Sequence, residues 1–231
     1  MSLSPPEGAG PLRRERLRTA RLYFCCEARP RGEDPEALLR AALGGGVDIV
    51  QLREKELSRA EILRAASTFR RIADGYSALF IVNDDPDLAR ACDADGVHIG
   101  QDDGSVEEAR ELLGPDAIIG LSAHTEEQID DAANRPIDYH SVGPIWETPT
   151  KAGRPAVGLE LVEYAAEHAA HPFFAIGGID ESNAEQVVRA GARRMCVVRA
   201  VRDAVDPAAA AARLRQAFAA TEDERGVAPG G

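Results

Sequence analysis

The 231-residue chain is 44% hydrophobic and carries a formal charge of −12, which gives enough apolar material for a folded core but the wrong sign for nonspecific nucleic-acid binding, where a basic surface must neutralise phosphates. No stretch approaches the roughly eighteen consecutive apolar residues of a membrane span, and residues 1–20, "MSLSPPEGAGPLRRERLRTA", lack the apolar middle of a secretory signal. The expectation is a cytoplasmic protein with neither a membrane nor a nucleic acid as partner. Its four cysteines, Cys25, Cys26, Cys92 and Cys196, have no zinc-type spacing and lie in apolar runs, as buried thiols do.

Residues 1–20 and 221–231 are rich in Pro, Gly and charge and read as flexible or disordered tails around a domain of 21–220. Within that domain apolar, β-branched runs alternate with helix-forming segments. The run at 21–28 precedes a helix over 34–43, where Asp34 and Pro35 supply a cap and a first-turn proline. The run at 47–53 precedes a helix over 58–74, opened by Ser58 and Glu61 in capping-box spacing. Runs at 78–83 and 95–100 flank a short helix over 85–92, and Ser105 with Glu108 repeats the capping spacing before a helix over 105–114. Further runs at 117–122, 137–143, 172–178 and 193–200 are followed by helices over 125–134, 158–170, 180–191 and 206–220. Eight such pairs match a single (β/α)8 barrel in number and length, whereas an open doubly wound sheet usually needs fewer strands. There is no dinucleotide G-x-G-x-x-G and no Walker lysine loop.

A barrel places its chemistry at the carboxyl ends of the strands, and polar residues gather there. After the second run, Gln51, Arg53 and Lys55 share one parity and project to one side, a fork and a mobile cation suited to a diphosphate. After the third comes Asn83-Asp84-Asp85, and after the fourth Asp102-Asp103; a carboxylate from each of two neighbouring strand ends is the usual protein share of a magnesium site. Asp85, before Pro86, also reads as a helix N-cap, so Asp84 is the expected metal ligand; spacing leaves Asp102 and Asp103 equivalent. His98, between Val97 and Ile99, reads as a packed strand histidine. The seventh and eighth runs end in "AIGGI" and "VVRA", where glycines let a backbone approach an anion closely, which suggests a second phosphate site. The segment 144–157, "PIWETPTKAGRPAV", is long for a barrel loop and of a length often used for lids, and Pro149 and Pro155 keep it from being helix or strand.

The motifs "QLREK", "NDD", "DGVHIGQDD", "GLSAH", "VGPIWETPTKAGR", "FAIGGI" and "VVRA", in this order, resemble the thiamine phosphate synthase family over residues 21 to about 218. The resemblance implies a barrel enzyme of thiamine biosynthesis. Such an enzyme couples 4-amino-2-methyl-5-hydroxymethylpyrimidine diphosphate to 4-methyl-5-(2-phosphoethyl)thiazole with Mg2+, releasing pyrophosphate and forming thiamine phosphate. Carried over by motif, it assigns the diphosphate to Gln51, Arg53, Lys55, Asn83 and Lys151, with Arg53, Lys55 and Lys151 as the catalytic charges. It places the metal on Asp84 and Asp103, the pyrimidine on Ser122, and the thiazole phosphate on Thr148, Thr150, Gly178, Val198 and Arg199. Arg199 stands where many members carry serine, and His140 where an apolar or aromatic residue is common. A homo-oligomer is left open.

Two rival readings are weighed against it. A related thiazole tautomerase needs a histidine near the position of Pro144, which this chain lacks. A silent ligand-sensing barrel has no need of the aspartate pair or Lys151, all of which are present.

Overall fold

The computed structural model describes residues 8–148 and 155–226, with backbone alone over 220–226. Eight parallel strands, β1 (Leu22–Cys26), β2 (Ile49–Leu52), β3 (Leu79–Asn83), β4 (Gly96–Ile99), β5 (Ile118–Ala123), β6 (Tyr139–Val142), β7 (Phe173–Ile176) and β8 (Met195–Val197), pair in chain order, and β8 returns to β1 to close a barrel. The helices are α1 (Ala9–Thr19), α2 (Glu36–Gly44), α3 (Arg59–Gly75), α4 (Pro86–Ala91), α5 (Val106–Leu113), α6 (Glu126–Asp131), α7 (Glu160–His168), α8 (Ala184–Arg189), α9 (Arg199–Arg202) and α10 (Pro207–Gly226). Each of the eight expected strands is present, most of them shorter than the expected run, while β3 keeps its expected end at Asn83 and β5 runs one residue further, to Ala123.

Most of the expected caps hold, with differences in detail. Ser58 and Glu61 form the reciprocal capping box on α3. Ser105 accepts from the N–H groups of Glu107 and Glu108, but its hydroxyl donates to the Glu107 carboxylate, so the reciprocal partner is one residue early. At α2 the expectation is corrected: the N-cap is Pro35, with no side-chain cap bond, and Asp34 accepts from Glu36 N–H at 2.9 Å just outside the helix. Asp85 caps α4, accepting from Leu88 N–H at 2.7 Å, which leaves Asp84 for another role.

Strand alternation divides the core in two. Outward residues such as Phe24, Val50, Phe80, Val97 and Ile119 meet the helices, and inward residues Tyr23, Ile49, Leu79, Ile81, Ile118, Tyr139 and Phe174 fill the barrel. Inside, the Phe174 ring meets Tyr23 and Tyr139 edge-on at 5.3 and 5.4 Å, an arrangement favoured by the ring quadrupoles. Gly120 makes this possible: a Cβ there would lie 2.2 Å from the Tyr139 ring.

The N-terminal segment corrects an expectation. Residues 9–19, expected to be flexible, form α1, and its Leu17 joins the inner cluster at the amino end of the barrel. Arg13 Nε donates to Asp95 at 2.8 Å and Arg14 Nε to Asp138 at 2.9 Å, both aspartates standing just before a strand. Asp95 also takes Arg70 and the Phe80 N–H, each at 2.9 Å. Asp138 likewise takes Arg110 at 2.7 Å and the Ile119 N–H at 2.8 Å. At the other terminus α10 continues to Gly226, beyond the expected end at residue 220.

Candidate active site

At the carboxyl ends of β2, β3 and β4 the chain builds a charged cluster. The Arg53 N–H donates to Cys26 O at 2.9 Å, extending the β1–β2 ladder by one residue and raising Arg53 to the barrel mouth. Just past β3, the Asp84 N–H donates to His98 O at 2.8 Å, and the chain turns through a left-handed conformation with φ of 64° at Asp84. That backbone region costs a non-glycine residue about 1–3 kcal/mol and is concentrated at functional sites. The turn sets the Asp84 carboxyl against Asp103 and 3.8 Å from Lys55 Nζ. Desolvation, then the closeness of the Asp103 carboxylate, raise the Asp84 pKa to about 6; Lys55 and Arg53 pull the other way. Two carboxylates forced together fit a divalent cation that takes oxygen ligands and would relieve their repulsion. Among the described residues no third His, Cys, Asp or Glu joins them to make a larger metal-binding group. Water and substrate oxygens would therefore complete the shell.

Beside this cluster a cavity of about 330 Å³ opens between the strand ends. Its wall includes Gln51, Arg53, Asn83, Thr148, Gly178, Val198 and Arg199, all expected site residues. Gly177 and Gly178 have φ of 102° and 70°, conformations that side-chain-bearing residues rarely adopt. Among the described residues the N–H groups of Gly178 and Ile179 have no protein acceptor. Arg199 begins α9 after β8, and its neighbour Arg202 is committed to Asp203 (2.7 and 3.0 Å) and to Glu27 (2.5 Å). Arg53 and Arg199 form no ion pair among the described residues. The cavity thus has two anion-attracting poles, one on β2–β4 and one on β7–β8.

Not every expected residue lies on the wall. Lys55, Asp84 and Asp103 stand at the rim beside it. Ser122, 1% exposed, is set behind the wall with its Oγ 3.0 Å from His98 Nε2. Thr150 and Lys151, with Pro149 and Arg154, lie outside the described residues, so the lid expected over 144–157 is seen only at its two ends.

Sequence reasoning missed Ser141, Tyr23 and Asp203, which line the cavity, and Tyr139, which supports it. Parity contained the signal for Ser141: it is the register partner of Ser122, so the two serines stand side by side in adjacent strands. His140, of the opposite parity, is wholly buried outside the barrel, 5.7 Å between ring centroids from His171, and neither of its ring nitrogens has a hydrogen-bond partner.

Residues 22–201 match the family described as thiamine monophosphate synthase. A protein of Acidothermus cellulolyticus named thiamine-phosphate synthase is 51% identical over 206 residues, covering 88% of this chain and 97% of its own. One of Thermobifida fusca with the same name is 50% identical over 210 residues, covering 90% and 96%. The solved structure of a thiamine phosphate pyrophosphorylase from Pyrococcus furiosus superimposes with a TM-score of 0.80 at 33% identity, covering 90% of this chain and 98% of that one.

Proposed function

From a chain that belongs to the thiamine monophosphate synthase family, and is therefore a transferase of thiamine biosynthesis, we infer the substrates and the division of labour in the site. The enzyme joins 4-amino-2-methyl-5-(diphosphooxymethyl)pyrimidine to 4-methyl-5-(2-phosphoethyl)thiazole. The observation that carries this reading is the cavity with two separate anion poles, one of them beside an aspartate pair. One reactant brings a diphosphate and the other a monophosphate.

The diphosphate lies on the β2–β4 side, against Gln51, Arg53, Asn83 and Lys55, and the motif resemblance adds Lys151 to this set. Mg2+, held by Asp84 and Asp103, supplies electrostatic neutralisation of the diphosphate oxygens when bound. The thiazole phosphate takes the amides at Gly178 and Ile179, the Val198–Arg199 corner and the Thr148 and Thr150 hydroxyls.

Such an arrangement suits a dissociative substitution. The bond from the pyrimidine methylene carbon to the diphosphate oxygen breaks, and its electron pair leaves with pyrophosphate. The neutral thiazole nitrogen then gives its pair to the methylene carbon. No protein nucleophile is needed. Arg53, Lys55 and Lys151 meet the charge growing on the leaving group, and the apolar barrel floor excludes water from the cation.

Incubating the purified chain with both substrates and Mg2+ should yield thiamine phosphate and pyrophosphate in equal amounts, read by mass and phosphate assay. Absence of product from folded protein would overturn the substrate assignment, and full turnover in excess chelator would overturn the metal.

A further inference from the structure

The two amides of the β7–α8 turn that have no protein acceptor among the described residues, those of Gly178 and Ile179, belong to peptide planes that are each held by the carbonyl end. In a planar trans peptide the C=O and the N–H point in opposite directions, so a bond to the oxygen aims the hydrogen. Gly177 O accepts from the Trp146 N–H at 3.1 Å, which fixes the plane that ends in the Gly178 N–H. Gly178 O accepts from Asn183 Nδ2 at 2.9 Å, which fixes the plane that ends in the Ile179 N–H. Gly177, Gly178 and Ile179 line the cavity, whereas Trp146 and Asn183 stand outside its wall. The two carbonyls are thus drawn back from the cavity and the two N–H groups face it.

Asn183 is tied on its other side as well. Its Oδ1 accepts from the Asp180 N–H at 2.9 Å, which leaves Nδ2 as the atom that meets Gly178 O and settles which way round the amide sits. The residue occupies the N-cap position of α8, yet its side chain makes no bond to the first turn of that helix. An asparagine at a helix start ordinarily satisfies the N–H groups ahead of it; this one reaches back over the preceding turn instead. Its backbone is anchored by donation to Asp180 O at 3.3 Å and by the Gln186 N–H, which donates to Asn183 O at 3.0 Å. Gly178, with φ of 70° and no Cβ, does little by itself to resist rotation of the plane that Asn183 holds.

We propose that Asn183 is a positioning residue for the β7–β8 anion pole: by holding Gly178 O it aims the Ile179 N–H at a phosphate already met by the Gly178 N–H. Successive N–H groups that converge on one anion form a backbone concavity that needs no charged side chain. The proposal rests on the function inferred above, in which that phosphate belongs to the thiazole substrate, and it deepens that reading: a side chain that touches no substrate sets the affinity for one of the two.

Titration of the full-length chain with inorganic phosphate, followed by amide proton–nitrogen NMR, reads each donor separately. In the unaltered protein the Gly178 and Ile179 amide protons should both move downfield. Asn183→Ala removes both side-chain bonds; Asn183→Asp removes only the donor and keeps the acceptor for the Asp180 N–H, so the turn stays tied even if the alanine variant fails to fold. In either variant the Ile179 shift, extrapolated to saturating phosphate, should shrink while Gly178 keeps its own. Comparison at saturation separates aim from affinity, so the added charge of the aspartate does not enter. An Ile179 amide that ignores phosphate in the unaltered protein, or responds equally in the variants, would overturn the proposal. In turnover, Asn183→Ala should raise KM for the thiazole phosphate about tenfold, with kcat and KM for the pyrimidine diphosphate changed by less than about twofold. A lower melting temperature with an unchanged KM would make Asn183 merely structural and would also overturn it. The titration needs no turnover, so amides that respond in a protein that makes no thiamine phosphate would sink the assigned reaction and leave the role of Asn183 standing.

Discussion

Asp84 combines a left-handed backbone with a carboxyl facing Asp103, and both features work against stability. Asparagine tolerates that backbone better and carries no charge. We expect Asp84→Asn to lower turnover by about 10² to 10³ while raising the melting temperature, measured by calorimetry and product assay; unchanged turnover would remove Asp84 from the site. His140 has a different consequence. Burial, and then the charge of His171 beside it, push its pKa from the ordinary 6.5 down to about 4. Between those values the unfolded chain binds a proton that the folded one does not, so stability rises with pH across this window. It falls as the pH drops from about 6.5 to 4, by up to about 3 kcal/mol. His140→Leu should flatten that part of a denaturation-versus-pH curve, and an unaltered slope would assign it to other groups. Neither effect was legible in the sequence: "NDD" shows the carboxylates but not the twist that joins two of them, and "DYHSV" does not reveal that its histidine lacks partners.

Among the elements, the strands were legible because each is a continuous apolar run of the kind that a sheet buried on both faces requires. Helix α1 was not. Its residues "LRRERLR" form no apolar stripe, and what fixes it is the pairing of Arg13 with Asp95 and of Arg14 with Asp138, across 82 and 124 residues of chain. Local pattern cannot report such partners. Asp95 also satisfies Arg70 and the Phe80 N–H, so removing it leaves that amide unpaired and takes the shared carboxylate from two guanidinium groups, leaving Arg70 with Asp74 and Arg13 with the Asp116 carbonyl. Asp95→Ala should cost about 3–5 kcal/mol, read as a lower denaturant midpoint. Turnover per folded molecule should be unchanged at low temperature, since this end of the barrel is remote from the mouth. A loss of turnover without a loss of stability would contradict the separation of the two ends.

For the whole molecule, the order of the strand-end motifs revealed barrel and site together, because a closed parallel sheet brings to one rim whatever follows each strand. The depth of each residue below that rim was hidden, and Ser122 shows it: sequence placed it at the mouth, whereas it stands behind the cavity wall. The opposite end of the barrel is stoppered by Leu17 of α1 and filled by the Tyr23, Tyr139 and Phe174 rings. The reaction vessel is therefore a cul-de-sac, and traffic through it is last in, first out. A heterocycle seated near His98 must be admitted before a phosphate settles at Arg199 and blocks the way. Steady-state inhibition by a dead-end thiazole phosphate analogue should accordingly be uncompetitive against the pyrimidine diphosphate, and a competitive pattern would mean that the second reactant never stands in the doorway.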